Sequence, residues 1–164
     1  MMSTQRLDLR EFNQEDAPMI LKLLRSSGWI QFIGEKNVHT LEDAREYIQR
    51  NLILHGHGLG MYCVVERESG LPIGMVGFNQ RTFLDHPDLG YALLPEFTGK
   101  GYARESASMM LDHARKKLGF TTIFALTHPE NQDSISLLKD LGFHFHGMID
   151  PPGSGDSWLF RSGT

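Results

Sequence analysis

Apolar and polar positions alternate over residues 6–12, where Leu7 and Leu9 stand among Asp8 and Arg10, and this period of two predicts a half-buried strand. The period then lengthens. Behind Asn13, a suitable helix cap with Asp16 three positions on, Ala17, Ile20, Leu21 and Leu24 fall at the i, i+3, i+4, i+7 spacing of one helical face. Thr40 with Asp43 opens a second helix whose buried stripe is Ala44, Tyr47, Ile48 and Leu52, and Gly56, Gly58 and Gly60 end it. The segment 26–39 between them carries Trp29, Phe32 and Ile33, too apolar for a linker, and is expected to pack onto the domain.

From Gly60 the period returns to two. Met61 to Val65 and Ile73 to Phe78 read as an antiparallel hairpin turned by Glu68-Ser69-Gly70, and a third strand runs from Asp88 to Leu94. Pro95 stops it, and a glycine-bearing loop leads into a helix over 102–118 with Ala107, Met110, Leu111, Ala114 and Leu118 on one face and Gly119 at its end. A strand at 121–127, a helix at 131–141 closed by Gly142, a strand at 143–149, a turn at 150–155 and a last strand from Ser157 to Phe160 complete the chain. A meander followed by a β-α-β unit predicts an α/β (α+β) fold, a mixed sheet of about seven strands with about four helices on its faces, in a single domain over 1–164.

Composition narrows the function. The 164 residues are 40% hydrophobic and 22% charged, and 16 Lys and Arg against 20 Asp and Glu give a net charge of −4, which argues against a nucleic-acid partner. Cys63 is the only cysteine, so a disulfide within the chain and a cysteine-rich zinc site are both excluded. No run approaches the roughly 18 apolar residues needed to span a bilayer, and the first ten residues lack the apolar core of a signal peptide, so a cytoplasmic location without membrane association is expected.

The chemistry concentrates in the strand from Asp88, the loop 95–101 and the helix after it. Glycines at a strand-to-helix turn aim unpaired backbone N–H groups and the positive end of the helix dipole at one point, where a phosphate binds well. Gly99 and Gly101 place no side chain in the way, and Lys100 between them adds a mobile charge; a tight turn needing glycine accounts for the same residues. A P-loop fails on spacing at Leu94 and Gly101, and a dinucleotide fingerprint fails at Arg104, where the third glycine belongs.

Taken together, Arg6-Leu7-Asp8-Leu9-Arg10, Leu89-Gly90-Tyr91-Ala92-Leu93-Leu94-Pro95-Glu96-Phe97, Gly99-Lys100-Gly101-Tyr102-Ala103 with Glu105, and Pro129-Glu130-Asn131-Gln132-Asp133-Ser134 running to Leu141-Gly142-Phe143 resemble the GNAT superfamily of N-acetyltransferases, and within it the RimJ/RimL-type branch. Against that family's pyrophosphate pattern [QR]-x-x-G-x-[GA], Gly101 and Ala103 match and Thr98 departs at the first position. The resemblance implies acetyl-CoA as co-substrate, bound where the strands at 88–94 and 121–127 splay apart. A bulge in the first of these would leave backbone groups free to pair with the pantetheine arm. Leu93 and Leu94 are the expected backbone contacts, with an N–H near Leu93 facing the thioester oxygen; Gly99, Lys100, Gly101, Tyr102, Ala103 and Asn131 complete the expected cofactor-binding set.

By the same resemblance Asp88 is the candidate base that deprotonates the amine and Ser134 the candidate acid, since Leu138 stands where many relatives place a tyrosine. Each has a plain structural alternative: a solvated acid at a strand end for Asp88, a cap or packing contact for Ser134, an N-cap for Asn131. Glu105 is read as a helix-dipole partner. Trp29 and Phe32 are the substrate-site candidates, in a cleft formed by 26–39, 79–87 and 150–156. The acceptor is a primary amine, on a peptide N-terminus or a small molecule, and the protein is expected to be a monomer or homodimer. The mild acidity of the chain leans toward a cationic acceptor. His55 with His57, and His144 with His146 on one strand face, are the only metal-like pairs; with no carboxylate or cysteine at ligand spacing, no metal is expected. Cys63 in an apolar strand is read as buried and inert. A CoA-binding sensor without turnover, and an interaction module that binds no thioester, remain the alternatives.

Overall fold

The structure, a computed structural model, describes residues 1–53, 56–152 and 155–163. Eight strands, β1 (Met2–Ser3), β2 (Leu7–Glu11), β3 (Gly60–Glu66), β4 (Pro72–Asn79), β5 (Asp88–Leu93), β6 (Ile123–Thr127), β7 (His144–Ile149) and β8 (Ser157–Ser162), form one sheet in the order β1-β2-β3-β4-β5-β6-β8-β7. Every neighbouring pair is antiparallel except β5 and β6. The extra strand relative to the sequence reading is β1, two residues long and too short to show a period.

Five α-helices are present among the described residues: α1 (Ala17–Leu24), α2 (Ser27–Phe32), α3 (Leu41–Tyr47), α4 (Tyr102–His113) and α5 (Gln132–Asp140). Asn13 and Asp16 form a reciprocal capping box, but it opens a 3-10 turn at Gln14–Asp16 ahead of α1. Thr40 caps α3 as expected, its side chain accepting from the Asp43 amide, and π-type turns at Ile48–Leu52 and Ala114–Leu118 carry α3 and α4 on. The segment left unassigned by periodicity contains α2, which buries Trp29.

The two faces of the sheet hold separate cores. Leu7, Leu9, Val76, Phe78 and Leu89 meet Ala107, Met110 and Leu111 of α4 and Ile135 and Leu138 of α5. On the other face Met61, Cys63 and Met75 meet Ile20, Leu23 and Leu24 of α1 and Ala44 of α3. Cys63 is fully buried, and burial pushes its thiol up to about 12, so a thiolate is not formed near neutral pH.

The parallel pair positions everything that follows. β5 and β6 share one register position, Asp88 opposite Phe124, with the Phe124 amide donating to the Pro87 carbonyl at 2.9 Å, and beyond it they part. The sequence reading expected a bulge in β5 to cause this; instead β5 runs in unbroken register with β4 from Asp88 opposite Asn79 to Leu93 opposite Gly74. Backbone groups on its far side are left without a strand partner because β6 diverges, not because β5 buckles. Register shifts lie elsewhere, between β3 and β4 at Val64 and Val65, and in β7, where the register shifts between Phe145 and Gly147 and leaves His146 as the extra residue. That breaks the alternation expected to put His144 and His146 on one face. No cluster of three metal-ligating side chains occurs among the described residues; His55 lies outside them, as do Gly153 and Ser154 of the turn at 150–155. No helix among the described residues is long and apolar enough to cross a membrane.

Two glycines in β4 let its neighbours approach. A Cβ on Gly77 would stand 2.1 Å from the Gly60 carbonyl oxygen of β3, and one on Gly74 would stand 2.2 Å from the Ala92 carbonyl oxygen of β5. Both obstacles are backbone and cannot swing aside. Gly77→Ala is therefore expected to lower unfolding free energy by about 1–3 kcal/mol in a denaturant titration; an unchanged midpoint would show that β3 and β4 separate freely.

Candidate active site

The strand-to-helix loop carries the left-handed backbone that glycine allows. Gly99 and Gly101 have φ of +75° and +83°, and no heavy atom lies within 4 Å of a Cβ built on Gly99. Gly101 stands at the cap position of α4, where no side chain caps the helix, and the first helical bond runs from the Glu105 amide to the Gly101 carbonyl at 3.0 Å. The N–H groups of Tyr102, Ala103 and Arg104 are thus the unpaired donors of the first turn, at the positive end of the helix dipole.

This turn is clamped from behind. The Glu105 carboxylate accepts from the Thr4 hydroxyl, from the Arg6 amide at 2.9 Å and from Arg6 Nε at 2.8 Å, while Arg6 Nη1 donates to the Lys100 carbonyl at 2.9 Å. The Arg6 guanidinium also lies 4.4 Å from the centre of the Tyr102 ring, and the Tyr102 hydroxyl donates to Glu66 at 2.6 Å. Glu105 therefore ties the N-terminal strand to the loop, a more specific role than balancing a dipole. Arg6, visible in the sequence only as part of a strand, is its partner. Lys100 turns its ammonium toward the Phe97 ring, 5.4 Å from the centroid, and is absent from the cavity wall, which holds Arg104 instead.

Two cavities meet at the splay. One, of about 580 Å³, runs along Thr98, Gly99, Gly101, Tyr102, Ala103 and Arg104 toward Leu93 and Leu137. The other, of about 380 Å³, lies between β5 and β6 and extends under α2 to Asn79, Arg81 and Asp88. Tyr91, Ala92, Asn131, Ser134, Trp29 and Phe32 line both.

Leu94 is a correction to the sequence reading. Its amide donates to the Ile73 carbonyl at 2.8 Å and its carbonyl accepts from Phe97 at 2.9 Å, so neither group is left for an incoming strand. With β5 in regular register, the alternation of an antiparallel ladder turns the backbone groups of Leu89, Tyr91 and Leu93 away from β4, toward the splay. Leu93 and Tyr91 thus present main-chain groups to the splay.

Asn131 is the N-cap of α5, its side-chain oxygen accepting from the Ser134 amide at 3.2 Å. The Ser134 hydroxyl is 2.9 Å from the Tyr91 hydroxyl. Burial pushes the Tyr91 phenol up to about 12, with the Ser134 hydrogen bond opposing the rise, so it is protonated at neutral pH. A tyrosine does reach the helix α5 serine, from a strand. The sequence held no pointer to it beyond the place of Tyr91 on the face opposite Gly90 and Ala92.

Asp88 is 2% exposed, not a solvated strand-end acid. Its carboxylate accepts from Arg81 Nε at 2.9 Å, and burial raises its pKa above the ordinary aspartate range against the opposing pull of Arg81. Trp29 is 7% exposed, and its enclosed indole N–H has no acceptor among the described residues; the Phe32 ring packs at 5.6 Å against His128.

The acetyltransferase (GNAT) domain family matches residues 6–144, most of the chain, including the loop, both splayed strands and α5. The chain belongs to this GNAT family and is an acetyltransferase. The uncharacterized N-acetyltransferase YnaD of Bacillus subtilis (strain 168) is 29% identical over 149 residues, covering 90% of this chain and 85% of the relative. A crystal structure of an acetyltransferase from Agrobacterium tumefaciens str. C58 superposes with a TM-score of 0.82 at 23% identity, over 99% of this chain and 94% of that one. The ribosomal L7/L12 α-N-protein acetyltransferase RimL, solved with coenzyme A, superposes with a TM-score of 0.79 at 21% identity, over 96% and 94% of the two chains. These solved structures share the GNAT fold with this acetyltransferase.

The charge of Glu105 holds the clamp together. Burial raises its pKa, but hydrogen bonds from Thr4 and Arg6 outweigh that, and the net shift is downward. A depressed folded pKa adds stability above the ordinary glutamate value of about 4.3 and loses it as pH falls through the folded value. Glu105→Gln is accordingly expected to melt lower than wild type at pH 7, with the gap closing below about pH 4; a gap independent of pH would mean that the charge does not hold the clamp.

Proposed function

We propose that the protein transfers acetyl from acetyl-CoA directly to a primary amine, both held at once in the two meeting cavities, and that it belongs to the RimJ/RimL-type branch. The observation that carries this is the convergence, at Tyr91, Asn131 and Ser134, of a groove leading from unpaired helix-start amides with a second cavity ending at a buried carboxylate. The branch assignment rests on the shared motifs and is supported by likeness to RimL. The fold is read as one domain over 1–164, in the cytoplasm.

In this reading the amides of Gly101, Tyr102, Ala103 and Arg104 bind the diphosphate, with Gly99 giving it room and Lys100 contributing its backbone. Leu93 and Tyr91 offer main-chain groups to the amide-bearing arm, and Asn131 caps α5 while facing the same arm. Acetyl-CoA supplies an activated acyl carbon. The amine nitrogen bonds to that carbon and gives up a proton, which Asp88 receives directly or through water. As the carbon–sulfur bond breaks, the sulfur takes a proton from the Ser134 hydroxyl, which Tyr91 replenishes; the Tyr91 phenolate then regains a proton from water, and Asp88 releases the one it received. A raised pKa makes Asp88 a better proton acceptor than an ordinary aspartate, and backbone N–H groups facing the splay stabilise charge on the acyl oxygen. Trp29 and Phe32 wall the acceptor cavity.

Two variants test this. Ala103→Asp puts a carboxylate in the first turn of α4, where it favours the helix dipole by about 0.3–1 kcal/mol but repels a diphosphate. Calorimetry should show coenzyme A affinity down at least tenfold with the melting temperature held or raised; unchanged affinity would place the nucleotide elsewhere.

Asp88→Asn is expected to lower kcat/KM by about 10²- to 10⁴-fold at neutral pH. The wild-type acid limb should lie above the usual aspartate value of about 3.9, because the base must be ionised, and should vanish in the variant. A folded pKa raised by burial costs stability once pH exceeds it, so the variant should melt no lower than wild type at pH 7. Full turnover in Asp88→Asn removes the base, and saturable coenzyme A binding without transfer to any amine would make the protein a sensor.

A further inference from the structure

The acceptor cavity has a charge pattern that the composition conceals. Although the chain is net acidic at −4, the charged side chains among the described residues that line the cavity between β5 and β6 are Lys36, Arg81 and Asp88, two cations against one carboxylate. That carboxylate is already bonded to Arg81 Nε at 2.9 Å. Asp88 is buried, whereas 39% of the Arg81 side chain stays exposed, and both residues line this cavity. Lys36 is exposed and has no ion-pair partner among the described residues. Tyr47, half-buried on the same wall, lies within the field of Arg81.

Three acceptor types meet this surface differently. A polyamine brings several positive charges to a wall with two cations and no unpaired carboxylate, and pays like-charge repulsion. A neutral amide leaves Lys36 and the outer edge of Arg81 without a counter-charge. A zwitterion sets an ammonium beside a carboxylate, the mirror image of Asp88 beside Arg81, and the planar guanidinium can hold a carboxylate through two parallel hydrogen bonds. The volume of about 380 Å³ is near the lower end of ligand pockets, about 300–1,000 Å³, which suits a molecule of amino-acid size. Trp29, Ile33, Met61 and Met75 give the wall an apolar part, and Asn51, Asn79, Thr127, His128 and Ser157 give it a polar one.

Building on the acetyl-transfer reading, we propose that the acceptor is a small amine carrying its own carboxylate, an amino acid. Arg81 and Lys36 bind its carboxylate, and its nitrogen lies toward Asp88. The leaning toward a cationic acceptor drawn from net charge is reversed, because the distribution of charge at the cavity outweighs the total.

The experiment compares kcat/KM for leucine, methionine and phenylalanine, their carboxamides, spermidine and a tetrapeptide with a free N-terminus, alongside coenzyme A binding by calorimetry. The amino acids should exceed their carboxamides by at least tenfold. Lys36→Met should raise KM for the amino acids several-fold with kcat held and leave the carboxamides unaffected, a split that general damage to the fold would not produce. Lys36→Glu should narrow the gap between amino acids and spermidine. Transfer to the carboxamides, spermidine or the tetrapeptide equal to or better than to the amino acids overturns this assignment and leaves acetyl transfer standing. Bound coenzyme A with no transfer to any of these amines overturns both.

Discussion

The divergence of β5 from β6 is the constraint on which the rest of the molecule depends. A sheet that kept pairing beyond Asp88 and Phe124 would satisfy its own backbone and leave no opening between the strands. Instead, one parallel register position anchors the pair, and the unpaired far side of β5 becomes the wall of two cavities. An antiparallel sheet extends β5 on one side through β4, and β6 is paired with β8 on the other. Each splayed strand therefore has a full partner on its outer side, and the gap costs the sheet only the groups inside it.

The loop before α4 solves the complementary problem of holding charge near one end of that opening. An uncapped helix start leaves donors without partners, which is unfavourable unless water or a ligand meets them. The interactions that fix its shape all come from behind: Glu105, Arg6, Thr4 and the stacked Tyr102 ring hold the loop through its carbonyl and its first helical turn. None of them uses the amides on the front. Rigidity and an unsatisfied front are thus supplied by different atoms of the same residues, which is how a site is kept pre-formed for an anion.

The elements that were legible in the sequence are those with a long, uniform period. The alternation at Leu7 and Leu9, the stripes of α1 and α4, and the caps Thr40 and Asn131 express local rules and appear where expected. What was illegible depends on partners far away in the chain. Leu94 looked like a free strand end until Ile73 and Phe97 took both its backbone groups, and the alternative of a solvated acid at Asp88 falls because the side chain is buried and bonded to Arg81. His146 broke a face because β7 bulges beside Gly147, a glycine within the strand that the period-two reading passed over. The loop before α4 was readable because glycines at positive φ are themselves local; the placing of Arg81 and Lys36 on the cavity wall was not, because they sit in irregular segments whose direction no periodicity reports.

In the proposed reaction, Leu138 bears on how proton delivery would be arranged. It is 1% exposed and packs into the core between α5 and the sheet, so that helix position is committed to packing and cannot present a hydroxyl. The hydroxyl pair that does face the splay joins one turn of α5, at Ser134, with one residue of β5, at Tyr91. A serine alone would be a poor proton source, since its hydroxyl ionises far above neutrality. A phenol held protonated at its back gives it a donor, and the two together span the gap between helix and strand. Placing the phenol on β5 also ties the proton path to the strand whose backbone faces the acyl group, so that a shift of that strand moves the acid and the amides together. Geometry between them is then set by one rigid element, whereas a tyrosine on α5 would have to keep register across the opening itself.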